Sequence, residues 1–284
     1  MTQTIAGAIQ SGQRHLAQAG IETPRLDAEV LLRHVLGLDR ARLFARLTDP
    51  LPETAHASFF RLVDHRATGV PVAYLTGVRE FHGLSLQTRP GVLIPRPETE
   101  LMVEWALSWL AERQRATVID VGTGTGAIPL ALAASLGPVW RGRIIAADRF
   151  PGPVALAAAN RTQLGLGDRV DIVQGDLLAW CAGPVDLITA NLPYLRPDQV
   201  TGNPMLAAEP AEALLGGADG LDLIRDLIRD TPRVLAATGA IILELDPSRA
   251  ETVATLLRSA LPEAAISILP DLAGRPRFAV AELG

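Results

Sequence analysis

Apolar positions along the chain change their spacing twice. Up to residue 70 they recur as in helices. Ile5, Ile9 and Leu16 predict a first helix that stops at Gly20. Thr23 reads as an N-cap, with Pro24 at the first helical position. Leu26, Val30, Leu31 and Val35 form the stripe of that second helix, and Gly37 ends it. Pro52 opens a further helix with Phe59, Leu62 and Val63 on one side. Over residues 71–97, Pro71, Gly77, Gly83, Pro90, Gly91, Pro95 and Pro97 break helical continuity. Within them Phe81, Leu84, Leu86, Val92 and Ile94 predict short strands in a hairpin.

From residue 98 onward helical and strand patterns alternate. A helix carrying Leu101, Val103, Trp105 and Leu110 comes first, then a strand over 117–121 and a helix over 127–136. Further strands are predicted at 143–147, 169–173, 185–189, 240–245, 265–269 and 277–281, and further helices at 152–163, 221–236 and 248–259. Such alternation builds a doubly wound α/β fold, a mostly parallel sheet covered by helices on both faces. The last two strands are joined around residues 271–274, too short a link for a parallel crossover. They are expected to pair as an antiparallel hairpin at the end of the sheet. The organisation expected is a helical domain over 1–75, a β-hairpin linker over 76–97 and an α/β domain over 98–284.

Composition narrows the function classes. The 284 residues are 48% hydrophobic and 20% charged, which excludes a disordered chain. All 26 basic residues are Arg, and against 31 acids they leave a net charge of −5. That balance argues against bulk electrostatic binding of nucleic acid. The charge is uneven: residues 1–90 hold 10 Arg against 8 acids, and residues 91–284 hold 16 against 23. A mildly basic helical module on an acidic domain suits a protein partner. The richness in Ala, Gly, Pro and Arg assigns the lack of Lys to codon bias. Cys181 is the single cysteine, so no internal disulfide and no Cys-based zinc site is expected. His15, His34, His56 and His65 have no metal-ligand spacing and read as surface or packing residues. No apolar run reaches the ~18 residues of a membrane helix, and the first residues lack the features of a signal peptide. A cytoplasmic monomer without a metal is expected.

Two segments carry candidate chemistry. The first is Asp120-Val121-Gly122-Thr123-Gly124-Thr125-Gly126, which runs from the 117–121 strand into the next helix. Glycines there let the backbone turn and approach a ligand beyond the strand ends. Asp148 ends the following strand, where a carboxylate accepts hydrogen bonds from ribose hydroxyls. By itself the loop fits either a nicotinamide cofactor or S-adenosylmethionine. The second segment is Asn191-Leu192-Pro193-Tyr194, placed after a strand. An amide or aryl amine nitrogen has its lone pair delocalised and is a poor nucleophile. Asn191 offers a side-chain carbonyl and Leu192 a backbone carbonyl as acceptors for its two N–H groups. Pro193 holds Leu192 extended, and Tyr194 offers a ring face for stacking a planar group.

The glycine segment resembles the first motif of the class I S-adenosylmethionine-dependent methyltransferases, and the closing hairpin resembles their seventh, antiparallel strand. That resemblance implies a seven-stranded sheet, a contact from Asp176 to the adenine amino group, and Leu177 against the ring. Asn191–Tyr194 resembles the Asn-Pro-Pro-Tyr motif of methyltransferases acting on planar nitrogens. Leu192 departs from it, and Asn-Leu-Pro-Tyr is also common in rRNA adenine dimethyltransferases.

Outside these motifs the chain resembles the peptide chain release factor N5-glutamine methyltransferases. The resemblance rests on Pro71–Gly77, Glu80–Gly83, Val92–Glu100 (with the run LIPRPETE), Glu209-Pro210, Gly216–Asp222 and Asp271–Arg277. It implies S-adenosylmethionine held by Gly122, Thr123, Gly124, Thr125, Gly126, Asp148, Asp176, Leu177 and Asn191. It implies Asn191, Leu192, Pro193 and Tyr194 around a glutamine amide of the Gly-Gly-Gln loop, with Asn191, Pro193 and Tyr194 catalytic. Arg96, Glu98 and Glu100 are expected to border the pocket. The stretch 244–249 departs from the family pattern and is expected to lie away from the chemistry. A glutamine methyltransferase of a ribosomal protein, an rRNA or DNA adenine methyltransferase, a dehydrogenase and a non-catalytic adaptor are the rival readings.

Overall fold

The computed structural model describes residues 3–201 and 206–284. The chain divides into two compact units, Met1–Val78 with Pro204–Ala208, and Arg79–Asn203 with Glu209–Gly284.

The first unit is helical: α1 (Ile5–Gln18), α2 (Pro24–Leu36), α3 (Arg40–Ala45), α4 (Glu53–Ala67) and α5 (Val72–Thr76). Thr4 caps α1 by accepting a hydrogen bond from Gly7 N. Pro24 stands at the start of α2 and Gly37 ends it in the left-handed conformation, both as expected. Thr23 makes no capping bond; its hydroxyl donates to Asp27 Oδ1 at 2.8 Å. Asp27 in turn accepts from Arg66 Nε at 2.7 Å, a buried ion pair between α2 and α4. The buried apolar face of α2 is Ala28, Leu31 and Leu32. Leu26, expected in that stripe, is 55% exposed, because two residues before Ala28 lies on nearly the opposite side of the helix. Val30 and Val35 are only half-buried. Pro71 and Gly77 bracket the single turn of α5 where a break had been expected throughout.

The second unit starts with the hairpin of β1 (Val78–Phe81) and β2 (Leu84–Gln87). His82 (φ 48°) and Gly83 (φ 73°) make its turn, in the left-handed conformations that two-residue hairpin turns favour. Val92 and Ile94, expected in strands, are buried in irregular chain instead. Phe81 and Leu86 belong to a core cluster of the sheet.

The alternating part follows as α6 (Glu100–Leu110), β3 (Thr117–Val121), α7 (Ala127–Leu136), β4 (Arg143–Asp148), α8 (Pro151–Gln163), β5 (Val170–Gln174), β6 (Val185–Ala190), α9 (Pro197–Thr201), α10 (Asp222–Val234), β7 (Leu235–Glu244), α11 (Ala250–Ala260), β8 (Ala265–Pro270) and β9 (Pro276–Glu282). The seven strands of the large sheet lie in the order β5-β4-β3-β6-β7-β9-β8. Neighbouring strands from β5 to β7 run parallel, and β9 is antiparallel to both β7 and β8. The expected hairpin is therefore present, but its later strand is inserted between β7 and β8. The winding direction reverses at β3, so the carboxyl ends of β3, β4 and β6 surround a topological switch point.

The inner strands are buried on both faces, while the edge strands β5 and β8 are partly exposed. Successive residues Ala240, Ile241, Ile242 and Leu243 enter one core cluster and the other in turn, as do Leu187 and Ile188. This is the period of two expected of strands that carry helices on both sides.

Candidate active site

Three segments converge at the switch point. The glycine loop comes first. Gly122 N and Thr123 N both donate to Ala147 O at 2.9 Å, which folds the loop across the end of β4. Gly124 N donates to Asp148 Oδ2 at 3.1 Å, and Phe150 N to Asp148 Oδ1 at 3.0 Å. Burial pushes the Asp148 carboxyl up from its ordinary value, against the pull of these two backbone donors. Gly122 has φ 75°, and a Cβ on it would come within 2.9 Å of a Leu192 methyl. The loop thus requires glycine both for its backbone and for its contact with the next wall. Gly126 stands at the N-terminus of α7.

Beneath the loop, Asp120 is buried and accepts from Thr189 Oγ1 at 2.7 Å. The hydroxyl of Thr123 stands beside this carboxyl, and neither it nor Oδ2 has another hydrogen-bond partner among the described residues. Desolvation raises the Asp120 carboxyl to about 6, opposed by the hydroxyl groups beside it.

The second segment is Asn191–Tyr194, after β6. Asn191 Nδ2 donates to Thr99 Oγ1 and to Glu244 Oε2, each at 3.0 Å. Its Oδ1 therefore points away from both groups. Leu192 is buried against Gly122. Tyr194 donates its hydroxyl to Glu244 Oε1 at 3.1 Å. Burial and the neighbouring Glu244 raise the Tyr194 phenol well above its ordinary value. The backbone after Pro193 is clamped from the other side. Leu195 N donates to Leu214 O and Gly216 N to Leu195 O, both at 2.9 Å. A Cβ at Gly216 would lie 2.5 Å from the carbonyl oxygen of Pro193.

The third segment holds Val92, Pro95 and Arg96. Arg96 Nη2 pairs with the buried Glu209, which also accepts from Ile94 N at 3.1 Å. One carboxylate thereby ties the 92–96 segment to the stretch that leads into residues 210–217.

Between these walls is a cavity of about 700 Å³, the size range of small-molecule and cofactor sites. Gly122, Thr123, Gly124, Thr125, Asp148, Asp176 and Leu177 line one side, and Asn191, Leu192 and Pro193 another. Leu177 has φ 44°, an uncommon conformation for a non-glycine residue, at the cavity wall. Two expected residues are not among the lining ones: Gly126, which sits behind the loop, and Tyr194, whose ring packs with a core cluster. Of the expected border residues, Arg96 lines the cavity, while Glu100 accepts from His82 N at 3.0 Å.

Sequence reasoning missed Glu244, Thr99 and Glu209. Glu244 was expected away from the chemistry; as the last residue of β7 it lies against Asn191 and Tyr194. Glu209-Pro210 was visible as a motif, but its partner Arg96 is far off in sequence. No group of residues suited to holding a metal ion occurs among the described residues.

Known proteins are similar to this chain over most of its length. The family described as the PrmC N-terminal domain matches residues 7–77. The release factor glutamine methyltransferase of Moorella thermoacetica is 41% identical over 96% of each chain. That of Deinococcus radiodurans is 40% identical over 93% of this chain and 92% of its own. The MTRF1L release factor glutamine methyltransferase of Homo sapiens is 36% identical over 91% of this chain and 81% of its own. Among solved structures, the hMettl16 catalytic domain matches with a TM-score of 0.58 at 18% identity, covering 75% of this chain and 80% of its own. A 16S rRNA methyltransferase (RsmC) from T. thermophilus, in complex with AdoMet and guanosine, matches with a TM-score of 0.53 at 17% identity. It covers 73% of this chain and 50% of its own. These structural likenesses establish the methyltransferase fold.

Proposed function

Since this chain belongs to the release factor glutamine methyltransferase family, we propose that it methylates a release factor on the side-chain amide nitrogen (N5) of the glutamine in the Gly-Gly-Gln loop, with S-adenosylmethionine as donor. The observation that carries this reading is the orientation of Asn191: its NH₂ is held by Thr99 and Glu244, and its carbonyl points away from them at the cavity wall.

The cavity suits the donor. The glycine loop leaves open backbone where a side chain at Gly122 would collide with Leu192. Asp148 stands at the end of β4 with both oxygens oriented by backbone N–H groups. The buried Thr123 hydroxyl stands beside Asp120 at the cavity and has no other hydrogen-bond partner among the described residues. Gly122–Thr125, Asp148, Asp176, Leu177 and Asn191 would hold the molecule. S-adenosylmethionine, when bound, supplies an electrophilic methyl group.

The protein's part is to make an amide nitrogen attack. Asn191 Oδ1 accepts one N–H of the substrate amide, and the backbone carbonyl of Leu192 accepts the other. Two fixed acceptors hold the group in line and stabilise positive charge as it grows on nitrogen. Pro193 restricts Leu192 to extended conformations and so fixes the direction of that carbonyl. A proton leaves the nitrogen after the new N–C bond forms, so no base is needed before attack. Tyr194 enters through its hydroxyl, which is bound to the same carboxylate that holds Asn191. The reading places the enzyme in the compartment of translation.

The test supplies radiolabelled S-adenosylmethionine together with a release factor, its Gln→Ala loop variant, or rRNA. Label is expected in the intact release factor alone. Label in rRNA, or equal label in the Gln→Ala variant, overturns the reading.

A further inference from the structure

Glu244 is a buried carboxylate that touches neither substrate nor donor in the mechanism above and acts only on the residues that do. It closes β7 and stands in register with Phe278 of β9, and it is 1% exposed. Three side chains donate to it: Thr99 Oγ1 to Oε2 at 2.7 Å, Asn191 Nδ2 to Oε2 at 3.0 Å, and Tyr194 Oη to Oε1 at 3.1 Å. Burial raises the Glu244 carboxyl from its ordinary value; the Thr99 and Tyr194 hydroxyls and Arg277 oppose that rise and favour the ionised form, and Glu98 adds to it.

With Glu244 ionised, the direction of these bonds is forced. The single hydroxyl hydrogen of Thr99 goes to Glu244, so toward Asn191 the Thr99 oxygen is an acceptor. A carboxylate is an acceptor only. Both groups that face the inner edge of the Asn191 amide therefore accept, and only its NH₂ fits there. The flipped amide would set a carbonyl against two acceptors and leave a buried carboxylate short of a donor. We propose that Glu244 is a positioning residue: it locks the Asn191 amide so that its carbonyl faces the substrate, and through Tyr194 it holds the rest of the Asn191–Tyr194 segment in place. The inference rests on the reading that Asn191 accepts from the substrate amide.

The test uses the full chain with Glu244→Gln, which keeps the shape but replaces one acceptor by a donor. With release factor as substrate, kcat falls about 100-fold while KM stays within about threefold. Affinity for S-adenosylmethionine, measured by calorimetry, is unchanged within about twofold. The same change on an Asn191→Ala background alters kcat by less than about threefold, since the residue it acts through is gone. A folded Glu244→Gln enzyme with wild-type kcat, or a full additional loss on the Asn191→Ala background, overturns the proposal. Should Glu244→Gln fail to fold, Thr99→Val removes the second acceptor and is expected to lower kcat about tenfold with KM held.

A readout without turnover separates this proposal from the assigned substrate. In protein labelled with ¹⁵N-asparagine, the side-chain NH₂ signals of Asn191 are identified by their loss in Asn191→Ala. They are expected to be protected from exchange in the wild type and unprotected in Glu244→Gln. Equal protection in both overturns the positioning role. Wild-type enzyme that leaves release factor unlabelled overturns the substrate reading alone.

Discussion

Asp120 and Asn191 show how much a single side chain's surroundings decide. Asp120 is 1% exposed and accepts one hydroxyl bond on Oδ1. Its carboxyl is raised from 3.8 to about 6 in the folded protein. The folded state thus holds a proton that the unfolded state has released between those values, so the group's contribution weakens as pH rises from 4 to 6. At pH 7 the charged form costs up to about 3 kcal/mol. Asp120→Asn is expected to melt above the wild type at pH 7, with the gap closing toward pH 4 in thermal denaturation. A gap independent of pH would contradict the burial account. Asn191→Ala is expected to keep S-adenosylmethionine affinity within about threefold in calorimetry, the other cofactor contacts being intact, and to lose about 10²–10³-fold in kcat, the effect of removing one charge-stabilising group. The sequence made Asn191 legible because its neighbours Pro193 and Tyr194 form a motif with it. Glu244 had no such marker, because its partners Thr99 and Asn191 lie 145 and 53 residues away.

Elements position these residues through close backbone approaches. Gly122 and Gly216 press on the Asn191–Tyr194 segment from two sides, but with different neighbours. A methyl group at Gly122 meets the end of the Leu192 side chain, which can turn aside. One at Gly216 meets the main-chain oxygen of Pro193 and the carbonyl of Gly220, which cannot. Gly216→Ala is therefore expected to lower the melting temperature more than Gly122→Ala does. Gly122→Ala, strained at φ 75°, is expected to weaken S-adenosylmethionine binding about tenfold, read by calorimetry. At this scale the chain was readable where periodicity was strong. The helix over 127–136 and the strand over 117–121 have the bounds expected. The pattern failed where burial replaced periodicity: Val92 and Ile94 are buried by loop packing, and β7 begins at Leu235 instead of residue 240. Pro71 and Gly77 were read as breaks, although one helical turn fits between them.

For the whole molecule, each unit has buried clusters of its own. Ile5, Leu16, Leu31, Leu32 and Phe59 belong to a cluster drawn from the helical unit, and both sheet clusters are drawn from residue 81 onward. We propose that residues 1–75 recognise the release factor. Deleting them is expected to leave S-adenosylmethionine binding intact and to abolish measurable affinity for release factor, compared in paired titrations; unaltered release-factor affinity would refute that assignment. No helix among the described residues is long and apolar enough to cross a membrane. The α/β class and the antiparallel hairpin could be read from alternation and loop length, but the position of β9 between β7 and β8 could not, because strand order depends on contacts between distant residues. That insertion bears on folding. In chain order β7 and β8 both precede the strand that separates them, so the outer edge of β7 stays unpaired and open to wrong partners until β9 inserts. Glu244 pairs in register with Phe278 and loses its cover until that residue arrives. The support of Asn191 is thus completed only when β9 takes its place beside β7.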